Sequence, residues 1–528
     1  MQLTGLNFIG NERSGNGTAT FHAVNPATDA KLSPSFYEAT RQEIDAALQQ
    51  AEAAFLPYSS RSGRERALFL EKIADEIMAL GDGLIQRCHE ETGLPLARLT
   101  GERGRTVNQL RLFAQLLREG SWVDVRIDTA EPERQPVPKP DIRSMQKALG
   151  PVGIFGASNF PLAFSVAGAD TVSALAAGCP VVVKAHPAHP GTCEMVACAI
   201  QNAVKKTNMP EGIFSMVHGQ STEVGMTIVE HPLIKAIGFT GSLKGGKAIF
   251  DAAVRRAGPI PVYAEMGSTY PVFILPGALR DKKEEIAKGL TASATLGVGQ
   301  FCTKPGLVFL EESQDAAQFQ QLAAANFQEV VAATMLNAQI HRAYENGIEK
   351  LSKQEGVAML AKGKVEEEGF RGVGHLFQTN ARNFLANENL EEEIFGPSTL
   401  TVTVNNKSEF VEVAQKLKGH LTATLWATKD DFDNYADLIA ILERKAGRLI
   451  INGFPTGVEV CHAMIHGGPF PATTDSRSTS VGTAAITRFT RPVCYQNFPD
   501  ALLPDELKNE NPLGIWRLVN GERKKTGI

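Results

Sequence analysis

From residue 150 onward the chain alternates short apolar runs with helix-like segments, and that alternation leaves few folds open. Val152-Gly153-Ile154-Phe155-Gly156 reads as a strand, 163–177 as a small-residue helix and 179–184 as a buried strand. Residues 194–205 then read as a helix, 213–217 as a strand, 224–230 as a helix and 234–239 as a strand. A second such series runs from 271 to 455, with strands near 272–275, 306–310 and 449–452. Strands that alternate with helices join as parallel neighbours, so the expected fold class is α/β with doubly wound parallel sheets.

The 528 residues are too many for one hydrophobic core, so two or three domains are expected. Forty-eight glycines suit many tight turns between strands and helices. Before residue 119 the pattern is helical: Ile44, Ala47, Leu48, Ala51 and Phe55 share one face, and 62–80 and 103–118 read the same way. This part is expected to form a helical cover. At 120–148 the character changes. Trp122, Val123, Val125 and Ile127 alternate, and Pro132, Pro136, Pro138 and Pro140 follow, which reads as a strand and an extended arm. Residues 489–498 read as another strand, followed by a polar tail.

Several function classes drop out. The net charge is -5 and no basic block stands out, so no nucleic-acid partner is expected. The first residues lack a basic stretch leading into an apolar core, so no signal peptide is expected. Apolar stretches are interrupted before about 18 positions, so no membrane span is expected. Seven cysteines with no C-x-x-C pair argue against a disulfide framework, and reduced thiols suit the cytoplasm. His462 and His466 stand four apart, but they have no evident third ligand and are flanked by Gly and Pro. They read as loop residues, and no metal is expected.

The chemistry-bearing residues sit on short Gly-containing segments. Cys302, in Gly299-Gln300-Phe301-Cys302-Thr303, is a candidate nucleophile; its competing reading is a small buried hydrophobe. Glu265, in Tyr263-Ala264-Glu265-Met266-Gly267-Ser268, is a candidate base. Asn159, in Gly156-Ala157-Ser158-Asn159-Phe160-Pro161, follows a strand end, where its amide either caps a turn or donates to a developing oxyanion. Lys184 ends a strand and either faces solvent or reaches a ribose or phosphate. No acid follows it to bind a ribose 2′-hydroxyl, which favours NADP over NAD. Phe239-Thr240-Gly241-Ser242-Leu243-Lys244-Gly245-Gly246-Lys247 follows a strand and opens a helix, a setting for phosphate, yet it matches neither common Gly-rich fingerprint. Glu391-Glu392-Glu393-Ile394-Phe395-Gly396-Pro397 is either a charged helix end or a place where Glu393 holds ribose hydroxyls.

In this order and spacing, the segments resemble the aldehyde dehydrogenase superfamily, from about residue 20 to about residue 490. The resemblance implies a Rossmann-like cofactor domain (1–119 and 149–270), a catalytic domain (271–470) and a β-arm for oligomerisation (120–148 and 486–500). It implies that Cys302 attacks an aldehyde, that the thiohemiacetal gives up hydride, and that Glu265 activates the water that hydrolyses the thioester. Asn159 and the Cys302 N–H would form the oxyanion hole. Lys184, Phe155, Gly156, Gly241, Ser242, Gly246, Glu393 and Phe395 would hold NADP or NAD, with NADP favoured. A homodimer or homotetramer is implied.

Three places depart from the commonest family pattern: Met266-Gly267-Ser268-Thr269, Ala157-Ser158 before Asn159, and Pro187. The Asn159 and Glu265 segments resemble the branch that oxidises 2,5-dioxopentanoate (α-ketoglutaric semialdehyde) to 2-oxoglutarate. So does the late stretch Phe454-Pro455-Thr456-Gly457 through Cys461-His462 and Gly467-Gly468-Pro469-Phe470-Pro471-Ala472-Thr473. An NADP-dependent long-chain fatty aldehyde branch is the rival, and a catalytically silent member of the fold a third reading. A product with two carboxylates needs a cationic anchor; Arg105, Arg111 and Arg477 are candidates beside Phe160, unless they serve in surface or interdomain salt bridges.

Overall fold

The computed structural model describes residues 2–366, 369–454 and 457–528. Its first sheet has seven strands in the order Val262–Glu265, Ala236–Thr240, Val152–Phe155, Val181–Lys184, Phe214–Val217, Asn7–Ile9, Glu12–Ser14. The first five are parallel, and the last two add antiparallel at one edge. Successive side chains serve opposite faces. Val181 and Val183 join the core under the helices Gly63–Ala79, Leu96–Glu119 and Pro190–Lys206, whereas Val182 faces Arg41–Ser59 and Thr222–Glu230. The uninterrupted apolar runs in the sequence are thus strands covered on both sides.

The second sheet runs Ala358–Lys362, His375–Asn380, Ser398–Val404, Leu307–Glu311, Pro271–Ile274, His420–Trp426, Ala446–Ile451, parallel except for its first strand. It too is buried between two apolar layers. A third sheet orders Thr490–Gln496, Ile142–Ala148, Arg126–Asp128, Arg517–Val519 and Glu522–Lys524.

Four local expectations are corrected. The segment expected as a helix over 163–177 is helical only over Ala169–Ala177. The Glu102 carboxylate accepts the N–H groups of Leu162 and Ala163 at 2.9 and 3.0 Å, so these residues are held in turns. Trp122 and Val123 lie in the 3₁₀ turn Ser121–Val123, and Asp124, at φ 46°, breaks the run before the strand Arg126–Asp128. The N-terminal part is not purely helical: Phe8 is fully buried and pairs across from Met216. The expected polar tail is folded, with Arg517–Val519 parallel to Arg126–Asp128 and the Arg517 guanidinium donating to carbonyls of Lys508, Asn509 and Thr526. Among the described residues no helix is long and apolar enough to cross a membrane.

Candidate active site

In the first sheet the chain runs outward from Val152–Phe155 through Val181–Lys184 to Phe214–Val217, then returns to build Ala236–Thr240 on the other side. The order reverses between Val152–Phe155 and Ala236–Thr240, and the loops leaving such a point diverge to open a crevice at the carboxyl ends of the strands. Asn159 leaves the first of these strands, Ser242 the second, and Glu265 ends the next one out. Cys302 comes from the loop between the 3₁₀ turn Leu296–Gly299 and the strand Leu307–Glu311 of the second sheet. Three successive left-handed residues, Gly297, Val298 and Gly299 (φ 55°, 58° and 64°), shape that loop. A Cβ on Gly299 would lie 2.5 Å from Pro397 N and closer still to the Gly396 carbonyl, so backbone passes where a side chain would be.

Cys302 is half-buried, with Sγ 3.5 Å from His466 Nε2. The same nitrogen lies 3.0 Å from Glu265 Oε1, and the three side-chain donor atoms all fall within 4.8 Å of one another. Ser480 Oγ donates to the second Glu265 oxygen and to the His466 carbonyl. Burial pushes the Cys302 thiol well above its usual range, reinforced by the charges of Glu265 and Glu393 and opposed by Arg105 and Arg448. Burial alone would raise Glu265, but His466, Ser480 and Arg488 outweigh it and hold the carboxylate below its usual value.

Asn159 Nδ2 donates to the Gln300 carbonyl at 3.0 Å, which ties the first loop to the nucleophile loop and leaves its other N–H to donate. Arg98 donates to the Asn159 carbonyl at 2.6 Å and lies over the rings of Phe160 and Phe301, which meet edge to face. Arg105 packs its guanidinium over Phe160 and Phe164. Its Nε and Nη2 are buried and have no hydrogen-bond partner among the described residues, and its charge acts on Cys302. Arg448, on the second sheet, also acts on Cys302, and its buried Nη2 is likewise unpaired.

Six of the cofactor candidates sit on or after strands of the first sheet, and Glu393 and Phe395 lie on the loop that leads into Ser398–Val404 of the second. Lys184 Nζ donates to the Gly219 carbonyl at 2.8 Å, and burial lowers its pKa to about 8. Glu38 acts on Lys184 from elsewhere in the chain, so the absence of an acid just after Lys184 does not leave the pocket free of one. Phe155 lies beside Gly225, where a Cβ would stand 3.2 Å from its ring. Gly156 packs on Ser165, 2.8 Å from where its Cβ would be. Ser242 caps the helix Leu243–Arg255 by accepting from Gly245 N, beside exposed Gly241, while Gly246 is buried against Met266. Glu393 lies over Gly267, where any Cβ would strike its carboxylate; burial raises Glu393 and the Lys304 charge opposes the rise. Phe395 is half-buried beyond it.

Other candidates lie elsewhere. Arg477 is 87% exposed and paired with Asp475, so it is no anchor in this crevice. Arg111 is exposed beside Asp75. Pro455 and Thr456 of the late stretch lie outside the described residues. His466, expected to be a loop residue, is fully buried at the centre of the site. Nothing local in the sequence marks it. It arrives because Met266 N donates to the Ala472 carbonyl and Glu265 bridges to Thr473, which draws the late loop across the strand end.

Residues 13–490 match the model of the aldehyde dehydrogenase family. The chain is 50% identical to alpha-ketoglutaric semialdehyde dehydrogenase 2 of Azospirillum brasilense, over 99% of this chain and all of that one. It is 48% identical to alpha-ketoglutaric semialdehyde dehydrogenase of Acinetobacter baylyi, over 98% of each chain. Among solved structures, an E194S mutant of aldehyde dehydrogenase from Bacillus cereus superposes with a TM-score of 0.78 at 25% identity, covering 93% of this chain and 96% of that one.

Proposed function

The chain belongs to the aldehyde dehydrogenase family, and from that premise we propose that its substrate is 2,5-dioxopentanoate, oxidised to 2-oxoglutarate. The observation that carries this choice is the Arg105 guanidinium, whose buried Nε and Nη2 have no partner while its charge reaches Cys302. These two nitrogens form one edge of the guanidinium fork, the geometry that takes a carboxylate with two parallel hydrogen bonds. An aldehyde with a carboxylate at its far end satisfies both. An alkyl chain leaves them buried and unpaired, which is costly.

In this reading Cys302 attacks the aldehyde carbon, and the Cys302 N–H and Asn159 amide receive the charge that develops on oxygen. The strand ends suit a nicotinamide dinucleotide, because Ser242 opens the helix Leu243–Arg255 beside exposed Gly241 and Lys184 ends the strand Val181–Lys184. Lys184, Phe155, Gly156, Gly241, Ser242, Gly246, Glu393 and Phe395 would hold it, and when bound it supplies the hydride acceptor. Glu265, held ionised beside His466, then takes a proton from the water that hydrolyses the thioester. Pro187 supports acceptance of NADP, and Glu38 beside Lys184 supports NAD as well. The strand Thr490–Gln496 has a neighbour on one side only, which suits edge-to-edge pairing in a homodimer or homotetramer. Seven free cysteines suit a reducing cytoplasm.

The test is initial rates of NADH and NADPH formation with 2,5-dioxopentanoate, pentanal and octanal. Strong preference for the oxo-acid aldehyde is expected, and equal or better use of octanal overturns the substrate assignment.

A further inference from the structure

An oxyanion hole works only while its donors keep their spacing, and the two donors here arrive on separate loops. Asn159 follows Val152–Phe155 of the first sheet, and the Cys302 N–H belongs to the loop that enters Leu307–Glu311 of the second. Asn159 Nδ2 donating to the Gln300 carbonyl ties the loops once. A second tie comes from Arg98, the third residue of the helix Leu96–Glu119. Its Nη2 donates to the Asn159 carbonyl at 2.6 Å, and its guanidinium carbon stands 5.2 Å from the centre of the Phe160 ring and 4.7 Å from that of Phe301. Phe160 follows one donor residue and Phe301 precedes the other, and the two rings meet edge to face with centres 5.4 Å apart. Gly297 leaves the room: a Cβ there would lie 2.5 Å from the Phe301 ring and 3.1 Å from Arg98 Nη1.

Helix stability gives no reason for an arginine at this position. The first turn of Leu96–Glu119 has no acidic residue and no side-chain cap, and a cation there opposes the helix dipole. Burial lowers the pKa of Arg98, with Glu102 one turn on opposing the fall, and Nη1 is buried with no hydrogen-bond partner among the described residues. A buried cation so incompletely paired weakens the fold. Nor does its charge serve the nucleophile: the cations that act on Cys302 are Arg105 and Arg448. Arg98 is set apart by touching both donor loops at once.

We propose that Arg98 is a positioning residue that holds the two halves of the oxyanion hole in register. This rests on the reading of Cys302 as the nucleophile and Asn159 as a donor. The guanidinium fixes the Asn159–Phe160 peptide through its carbonyl and keeps the Phe160 and Phe301 rings in place. The free Asn159 N–H and the Cys302 N–H then keep their separation while the aldehyde oxygen takes up charge. A lysine or an alkyl chain has no planar face to lay against both rings.

The experiment is a double-mutant cycle on the first turnover. Wild type, Arg98→Met, Asn159→Ala and the double variant are mixed with 2,5-dioxopentanoate or pentanal and saturating NAD or NADP, and the burst of reduced cofactor is followed by stopped flow. Cys302 of each is also alkylated with iodoacetamide, read by intact-protein mass spectrometry; this displacement builds no charge on a carbonyl oxygen and so makes no use of the hole. Melting temperature and cofactor binding report folding. Arg98→Met should slow the burst about 10- to 100-fold and leave alkylation within about twofold of wild type. In the Asn159→Ala background the same substitution should lose at least about fivefold less, because the donor it positions is already gone. An undiminished loss in that background, or alkylation falling in step with the burst, overturns the proposal. An unslowed burst in Asn159→Ala alone removes the donor and the proposal with it, whereas the substrate assignment is read separately, from the ratio of the two aldehydes in wild type. If Arg98→Met does not fold, Arg98→Lys is judged by the same criteria.

Discussion

Replacing Arg105 with Met removes the anchor and keeps the packing of the side chain. The methionine keeps contact with Phe160 and Phe164 but removes the Nε and Nη2 donors that are buried without partners. Two charge-assisted hydrogen bonds to a substrate carboxylate contribute about 1.5–2 kcal/mol each, hence about 3–4 kcal/mol together. At about 1.4 kcal/mol per factor of ten, kcat/KM for 2,5-dioxopentanoate falls roughly 140- to 700-fold. Arg105 also favours the thiolate of Cys302, and losing that effect slows all aldehydes alike. The informative quantity is therefore the ratio of kcat/KM for 2,5-dioxopentanoate to that for pentanal, which should collapse by about two orders of magnitude. The melting temperature is followed alongside, because the substitution also removes a positive charge that acts on buried Glu102. Equal losses for both aldehydes, with the ratio unchanged, refute the anchor.

Two further substitutions probe the machinery and the loop that carries it. Glu265→Gln should keep a rapid first turnover of reduced cofactor but slow the steady state by about 10²- to 10⁴-fold, seen by stopped flow; an unaltered steady-state rate removes Glu265 from deacylation. Gly299→Ala places a Cβ against the backbone of Gly396 and Pro397 at φ 64°, for about 1–2 kcal/mol of left-handed strain plus about 1–3 kcal/mol of overpacking. It should lower the melting temperature and the alkylation rate of Cys302 together, and a wild-type melt contradicts the loop geometry described here.

How much of this was legible beforehand depends on the range of the interactions. Val181, Val182 and Val183 announce a doubly covered strand because each side chain reports only its own face. Cys302 and Glu265 carry glycines close by, since a reactive group at a strand end needs a tight turn next to it. Where a distant group intervenes, the reading fails. Residues 163–168 look helical until Glu102 takes the N–H groups of Leu162 and Ala163, and the residues after 498 look like a tail until Arg517–Val519 finds Arg126–Asp128. Arg105 and Arg477 are chemically identical in the sequence. Burial against Phe160 makes one a candidate anchor, and solvent with Asp475 disposes of the other.

By itself, then, the amino-acid order determined the α/β alternation and offered a thiol and a carboxylate suited to acyl chemistry, because periodicity and turn chemistry act over a few residues; the family was carried by the resemblance of whole segments. The tertiary structure alone decided that His466, far along the chain, places one nitrogen between Cys302 and Glu265. Proton transfer depends on ångström distances between side chains, and those are set by the packing of one loop on the end of another strand, which no local pattern encodes.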